Sequence, residues 1–176
     1  MEREVRGLKV EIAEGDITFH DDVDAVVNAA NAQLTSGGGV AGAIHQAAGP
    51  GLAEECRPLA PIQPGEAVIT GGHNLSNGHV IHVLGPVYGS DTPEDELLAR
   101  CYRNALSLAD KHGLESVAFP SISTGAFGYP IKEAAGIALK TVLESAENLQ
   151  SVHRIRFVLY GEENYEAYER VLSRLL

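Results

Sequence analysis

The hydrophobic and polar positions of the chain follow patterns that predict strands alternating with helices. Leu8, Val10 and Ile12 alternate with charged residues, which is typical of a strand with one solvent-facing side. A short apolar stretch at 25–27 indicates a buried strand. Apolar stretches bounded by turn residues predict further strands at 66–70, 79–85, 116–123 and 154–160.

Apolar residues that recur every three or four positions predict four helices. The clearest spans 92–113, where we expect Thr92 to cap the helix, Pro93 to occupy its first position and Gly113 to end it. The other three are predicted at 40–48, closed by Gly49 and Pro50, at 130–145 and at 163–175.

Strands interleaved with helices predict an α/β fold, a three-layer α/β/α sandwich with helices on both faces of a central, mixed and largely parallel sheet. The chain has 176 residues, 44% of them hydrophobic, which suits one buried core, so we expect a single domain over 1–176. Ligands of such sheets bind beyond the carboxyl ends of the strands. The loops that follow strands are therefore the candidate site.

The composition excludes several classes of function. The formal net charge is −11, and the 13 Lys and Arg residues form no run, so general nucleic-acid binding is not expected. No segment is apolar for long enough to span a membrane, and we expect a soluble, cytoplasmic protein. Cys56 and Cys101 have no C-x-x-C partners, which favours reduced structural thiols, and no histidine spacing indicates a metal site.

Two glycine-bearing loops follow predicted strands and lead into predicted helices. One covers 28–39 (NAANAQLTSGGG) and the other 121–128 (SISTGAFG). Glycine lets the backbone approach a ligand closely, and the start of a helix presents free N–H groups to an anion. Either loop alone is equally well explained as a connecting turn. Two of them side by side predict a site for a pyrophosphate.

The glycines at 37, 39 and 42 also match the G-x-G-x-x-G fingerprint of dinucleotide-binding Rossmann folds. That fingerprint begins directly after a strand, whereas about eight residues intervene here, and no strand with an acidic residue follows the helix. Glu54 and Glu55 are expected in a loop. An NAD-dependent oxidoreductase is therefore a remote alternative.

Asn28 and Asn31 lie between the buried strand and the glycines. Amide side chains donate and accept hydrogen bonds, as sugar hydroxyls do, but asparagine at a strand end equally often turns the chain. Together EGDIT (14–18), DAVVNAAN (24–31), GGGVAGAIHQAAG (37–49) and PSISTGAFGYP (120–130) resemble the macrodomain family in order and spacing, over nearly the whole chain. The resemblance implies the macrodomain fold and binding of ADP-ribose or an ADP-ribosylated protein, without a cofactor; some members also hydrolyse derivatives of ADP-ribose.

The resemblance also assigns residues to parts of the ligand. Asp16 accepts from the adenine amino group, Ile17 contacts the ring through its backbone, and Tyr160 lies against the face of the base, although a tyrosine in a strand is as readily structural. Phe127, Asn28 and Asn31 lie at the distal ribose. The pyrophosphate lies between Gly38, Gly39, Val40 and Ala41 on one side and Ser121, Ser123, Thr124, Gly125 and Ala126 on the other.

Two residues are candidates for chemistry. Asn31 is expected to orient the ribose and a water molecule, because an amide positions groups but takes no proton at neutral pH. His45 matches a histidine of the family, and it lies one helical turn after Ala41, where the cellular hydrolase branch carries an aspartate. Alanine at this position weakens the case for hydrolysis of ADP-ribose esters. A module that only binds ADP-ribose is the alternative.

Overall fold

In the computed structural model, which covers residues 1–176, the middle layer of the protein is a seven-stranded sheet. In chain order the strands are β1 (Glu2–Val5), β2 (Leu8–Glu14), β3 (Ala25–Ala29), β4 (Ala67–Gly71), β5 (His79–Val83), β6 (Ser116–Phe119) and β7 (Arg154–Leu159). In space they lie in the order β1-β2-β7-β6-β3-β5-β4. The five central strands are parallel to one another, and β1 and β4 pair antiparallel with them at the two edges, which confirms the mixed, largely parallel sheet.

Five α-helices cover both faces of the sheet. On one face, Ile44 and Leu52 from the first two helices pack against Val26. On the other face, Leu98 and Leu139 belong to a larger cluster of 30 buried residues, to which each of the last three helices contributes side chains. The three-layer α/β/α arrangement is confirmed. The helices are α1 (Gly39–Ala48), α2 (Pro50–Cys56), α3 (Glu94–Lys111), α4 (Ile131–Ser145) and α5 (Glu162–Leu175).

Two elements lie where the sequence patterns predicted none. The first is β1, a largely charged edge strand that pairs with β2. The second is α2, which begins directly after Gly49. Pro50 and Gly49 stop α1, but proline is also well suited to the first turn of a helix, since its N–H would have no partner there. The prediction of a loop at Glu54 and Glu55 is therefore wrong.

Some predicted boundaries also need correction. Thr92 does not cap α3: Pro93 occupies the N-cap position, and no side chain caps this end of the helix. Glu94 and the two acidic residues after it form the first turn, where they interact favourably with the helix dipole. The strand predicted at 116–123 ends at Phe119, and residues 120–130 form the loop that leads to α4.

Both cysteines are structural, as predicted. Cys56 and Cys101 are buried and unpaired, and burial raises the pKa of the Cys101 thiol to about 12, which keeps it unreactive. None of the helices combines the length and the apolar character that a membrane crossing requires.

Two glycines within helices should respond to alanine with opposite signs. A Cβ atom on Gly42 of α1 would lie 2.3 Å from the carbonyl oxygen of Gly37, so Gly42→Ala forces the preceding loop away from the helix. A Cβ atom on Gly136 of α4 would meet nothing within 4 Å. We expect Gly136→Ala to raise the free energy of unfolding by about 0.5 to 1 kcal/mol and Gly42→Ala to lower it, measured by urea denaturation. Equal effects of the two substitutions would contradict the close approach at Gly42.

Candidate functional site

The main cleft of the protein, about 670 Å³ in volume, lies at the carboxyl ends of the central parallel strands. The loops after β2, β3, β6 and β7 all contribute to it. Every residue that the sequence analysis assigned to the site lines this cleft except Asn28 and His45. Those in the lining are Asp16, Ile17, Asn31, Gly38, Gly39, Val40, Ala41, Ser121, Ser123, Thr124, Gly125, Ala126, Phe127 and Tyr160.

The glycine-rich loop between β3 and α1 forms one wall of the cleft. The Asn31 side chain closes it on itself: Nδ2 donates to the Thr35 carbonyl at 2.9 Å, and Oδ1 accepts from the Thr35 N–H at 3.1 Å. Gly39 has a φ of 58°, in the left-handed region that favours glycine. The backbone N–H groups of residues 36–41 donate to no backbone carbonyl of the protein. This wall therefore presents unpaired donors.

The loop at 120–130 forms the opposite wall, because β6 is the direct neighbour of β3 in the sheet. The N–H groups of residues 121–127 likewise donate to no backbone carbonyl. Ser123 has a φ of 67°, which is rare for a residue with a side chain and turns the loop over Gly85. A Cβ atom on Gly85 would lie 2.1 Å from Ser123 Oγ, so only glycine allows this approach. Residues 37–41 and 121–127 line the same cleft, so two sets of unpaired donors lie along its opposite walls.

Asp16 is the only charged side chain in the lining, since no Lys, Arg, His or Glu lines the cleft. An anion between the two walls would consequently be held by backbone N–H groups and the dipole of α1 and not by a positive side chain. No group of three or more His, Cys, Asp and Glu side chains is arranged to hold a metal ion anywhere in the protein.

The end of the cleft beside β2 and β7 carries Asp16. Its Oδ1 accepts from the Thr18 N–H at 2.9 Å and from Thr18 Oγ1 at 2.7 Å, which fixes the carboxylate at the start of a short 3-10 turn. The second oxygen, Oδ2, keeps its lone pairs for a ligand. Tyr160 is 84% exposed at this end, and Asn164 Nδ2 donates to the Tyr160 carbonyl at 2.9 Å.

The two ends of the cleft are well separated. Asp16 follows β2 and Asn31 follows β3, and β7 and β6 lie between these two strands. Neighbouring strands lie about 4.8 Å apart, so the two ends are roughly 14 Å apart across the sheet. The unpaired N–H groups lie between them, and the cleft has the form of an elongated site with different side chains at each end.

Asn28 is not available to a ligand, which corrects the sequence-based assignment. It belongs to β3 and is fully buried, with Nδ2 at 3.1 Å from Nδ1 of His82 on β5. His82 Nε2 lies 3.0 Å from Thr70 Oγ1. Residues 26 and 28 point to the same face of the strand, so Asn28 lies with Val26 beneath the first two helices.

His45 also lies outside the cleft lining. It is 7% exposed, its Nε2 has no hydrogen-bond partner, and burial lowers its pKa, so it is a neutral buried side chain. The assignment failed because α1 runs away from the cleft: one turn after Ala41, the same side of the helix faces the protein interior.

The lining also contains residues that sequence reasoning missed. Asn164 comes from α5 and Gly85 from the segment after β5. Neither belongs to a glycine-rich loop. Only the rule that ligands lie at the carboxyl ends of parallel strands pointed toward Gly85, since β5 is parallel to β3.

Comparison with known proteins identifies the family. A family model described as "Macro domain" matches residues 27–138. The chain is 46% identical over 171 residues to the O-acetyl-ADP-ribose deacetylase of Cronobacter sakazakii, which is 94% of this chain and 94% of that protein. The chain belongs to the macrodomain family.

Two solved macrodomain structures have the same fold as this macrodomain. That of Oceanobacillus iheyensis with ADP superposes with a TM-score of 0.95 at 42% identity and covers 99% of this chain and 95% of its own. That of Trypanosoma brucei in complex with ADP-ribose superposes with a TM-score of 0.86 at 39% identity and covers 93% of this chain and 68% of its own. The expectation of a macrodomain fold is confirmed.

The buried histidine next to Asn28 makes stability depend on pH. Burial lowers the pKa of His82 to about 4, so the unfolded chain binds a proton below pH 6.5 that the folded protein does not. We expect the free energy of unfolding to fall by roughly 3 kcal/mol as the pH drops from about 6.5 to 4. Above pH 6.5 His82 is neutral in both states, so its contribution to the free energy of unfolding no longer changes with pH. Urea denaturation at several pH values measures this.

A His82→Gln variant serves as the control for this pH dependence. It keeps a polar side chain in the buried cluster but does not titrate, so its stability should change less over the same range of pH. The smaller contributions of His20 and His45, whose pKa values are also lowered, remain in the variant. An unchanged slope in His82→Gln would show that another group binds the proton.

Proposed function

We propose that this macrodomain binds ADP-ribose and hydrolyses ADP-ribose esters, such as O-acetyl-ADP-ribose or a protein mono-ADP-ribosylated on an acidic side chain. The observation that carries the binding is the pair of facing loops whose N–H groups at 36–41 and 121–127 have no backbone acceptor. The bound ADP and ADP-ribose of the two structural neighbours, and the name of the Cronobacter relative, support it. We infer that the 176 residues act as a single domain, since one sheet carries every wall of the cleft.

The adenine ring fits the end of the cleft that contains Asp16. The free Oδ2 of Asp16 accepts a hydrogen bond from the exocyclic amine of adenine and repels the carbonyl oxygen that guanine has in the same place. The N–H of Ile17 donates to no backbone carbonyl and is the matching donor for a ring nitrogen. The exposed ring of Tyr160 supplies an apolar surface for the face of the base.

The pyrophosphate fits between the two walls. Each phosphate oxygen accepts several hydrogen bonds, and the two loops present donors from opposite sides without a counter-charge. This explains how a protein of net charge −11 binds an anion: N–H groups within 3 Å of an oxygen act over a short range, whereas the surface carboxylates are screened by solvent.

The distal ribose fits the end that contains Asn31 and Phe127. Hydrolysis adds water across the ester bond at this ribose and releases the carboxylic acid and free ADP-ribose. Asn31 orients the ribose and the attacking water. No residue at this end takes the proton of the water, because Ala41 has a methyl group and His45 is buried outside the cleft. A phosphate oxygen of the substrate is then the nearest base.

The lack of a proton acceptor at the distal-ribose end favours a second function, a module that binds ADP-ribose without turnover. Asp16 and Tyr160 are the only titratable side chains in the lining, and both lie at the opposite end from the distal ribose. Without a base from the protein, binding persists and turnover depends on the substrate alone. An assay of release separates the two functions.

The adenine assignment predicts the effect of Asp16→Asn. This substitution keeps an oxygen that accepts from the Thr18 N–H, but it replaces the free carboxylate oxygen by an NH2 group that repels the adenine amine. We expect the affinity for ADP-ribose to fall about tenfold or more, as is typical when a charge-assisted hydrogen bond is lost, measured by isothermal titration calorimetry. Unchanged affinity at unchanged thermal stability would place the adenine elsewhere.

The role of Asn31 is tested with a protein mono-ADP-ribosylated on glutamate. We expect the wild-type protein to release ADP-ribose slowly and Asn31→Ala to lower the rate at least tenfold, because the ribose and water lose their orientation.

The same assay tests the role of position 41. Ala41→Asp should raise the turnover number by supplying a proton acceptor, and should weaken binding because its carboxylate faces the pyrophosphate.

Binding of free ADP-ribose by the same variants is the control for the release assay. If Asn31→Ala binds ADP-ribose as the wild type does, a slower release reflects chemistry. No release by the wild type together with tight binding would establish the binding module. Release at the wild-type rate by Asn31→Ala would remove Asn31 from the mechanism.

A further inference from the structure

A chain of hydroxyl groups connects the protein core to the loop at 120–130. Tyr168 lies on α5, outside the cleft lining, and it is fully buried. Its hydroxyl donates to Ser121 Oγ at 3.2 Å. Thr124 Oγ1 donates to the same Ser121 oxygen at 2.8 Å. Ser121 and Thr124 both line the cleft, so the chain of hydroxyls ends at the ligand site.

The direction of these hydrogen bonds determines what Ser121 can do. A serine hydroxyl has two lone pairs and one proton. Tyr168 and Thr124 occupy the two lone pairs, and no group of the protein accepts the proton. The proton therefore remains for an acceptor in the cleft. A hydroxyl that accepts two hydrogen bonds is polarised and becomes a stronger donor.

Packing accounts for the ring of Tyr168 but not for its hydroxyl. The ring lies 5.4 Å from that of Phe157 in the core, a contact that phenylalanine would make equally well. A buried hydroxyl destabilises the protein unless it has a partner, and the partner of this one is Ser121. The oxygen of Tyr168 thus serves the loop and not the packing of α5.

We propose that Tyr168 is a positioning residue that, together with Thr124, orients the Ser121 hydroxyl as a donor to the phosphates of the ligand. This rests on the proposed binding of ADP-ribose, and it adds a side-chain donor to the backbone donors of the cleft. The donor is fixed in direction before the ligand arrives, because both of its lone pairs are already used.

Tyr168→Phe removes one oxygen and leaves the ring packing in place. We expect its affinity for ADP and ADP-ribose to fall about three- to tenfold, the range for one hydrogen bond, and its affinity for adenosine to be unchanged, since adenosine has no phosphate. Calorimetric titration of the three ligands measures this. Ser121→Ala should show the same pattern, and the double variant should bind no more weakly than Ser121→Ala alone.

Tyr165→Phe is the matched control. Tyr165 lies on the same helix α5, but its hydroxyl donates to Glu169 at 3.2 Å and makes no hydrogen bond to Ser121, so its loss should leave all three affinities as they are in the wild type. Thr124→Val removes the second donor to Ser121 from a half-buried position and repeats the test if Tyr168→Phe does not fold.

The outcomes separate this inference from the function on which it rests. Wild-type protein that binds none of the nucleotides refutes the proposed function and the inference with it. Wild-type binding of ADP-ribose with unchanged binding by Tyr168→Phe refutes the inference alone. An equal loss for adenosine and ADP in Tyr168→Phe, or losses that add in the double variant, would also overturn it, because the tyrosine would then act through the fold and not through Ser121.

Discussion

Unpaired backbone N–H groups at two neighbouring crossover loops are the feature on which the rest of the site depends. Residues 36–39 and 125–126 are exposed, so water accepts from their N–H groups when no ligand is bound, and an anion that replaces this water receives several hydrogen bonds at once. The sheet order makes this arrangement available, because β3 and β6 are adjacent and both of their loops leave at the same edge. The net charge of −11 makes it necessary that the donors be close to the anion, since the long-range field of the protein opposes it.

The backbone geometry of both loops follows from that requirement. Donors converge only if the chain turns through conformations that ordinary residues avoid, and Gly39 and Ser123 both have positive φ. Gly42 and Gly85 allow the two loops to pack closely against the rest of the protein, since a Cβ atom at either position would overlap with an atom of the loop. The Asn31 side chain then closes the first loop on itself through Thr35, and Ser121 connects the second loop to Tyr168 on α5. The walls are thus fixed before a ligand binds, which lowers the entropy lost on binding.

Local patterns were sufficient for most of the fold and of the cleft. The period of two at Leu8, Val10 and Ile12 and the glycine loops after buried strands depend on residues close in sequence, and the structure has these elements where they were predicted. Asn28 and His45 were misplaced because a motif gives spacing and not direction. The pattern did contain the correction for Asn28, which shares its side of the strand with the buried Val26. Asn164 and Tyr168 contact the site from α5, and no local pattern connects that helix to the loop at 120–130.

A cleft that holds its ligand through the main chain separates binding from turnover. In the proposed binding mode the N–H of Ala41 is the same donor whatever side chain position 41 carries, so this backbone hydrogen bond does not depend on the side chain. Ala41 is 5% exposed in the first turn of α1, where a carboxylate would gain from the helix dipole but would repel the phosphates of the proposed ligand. In the proposed function alanine therefore favours tight binding, and an aspartate would favour removal of a proton from water. Because the backbone performs the recognition in that proposal, side chains such as that of Asn31 and that of residue 41 set the rate of turnover and not the recognition of the phosphates.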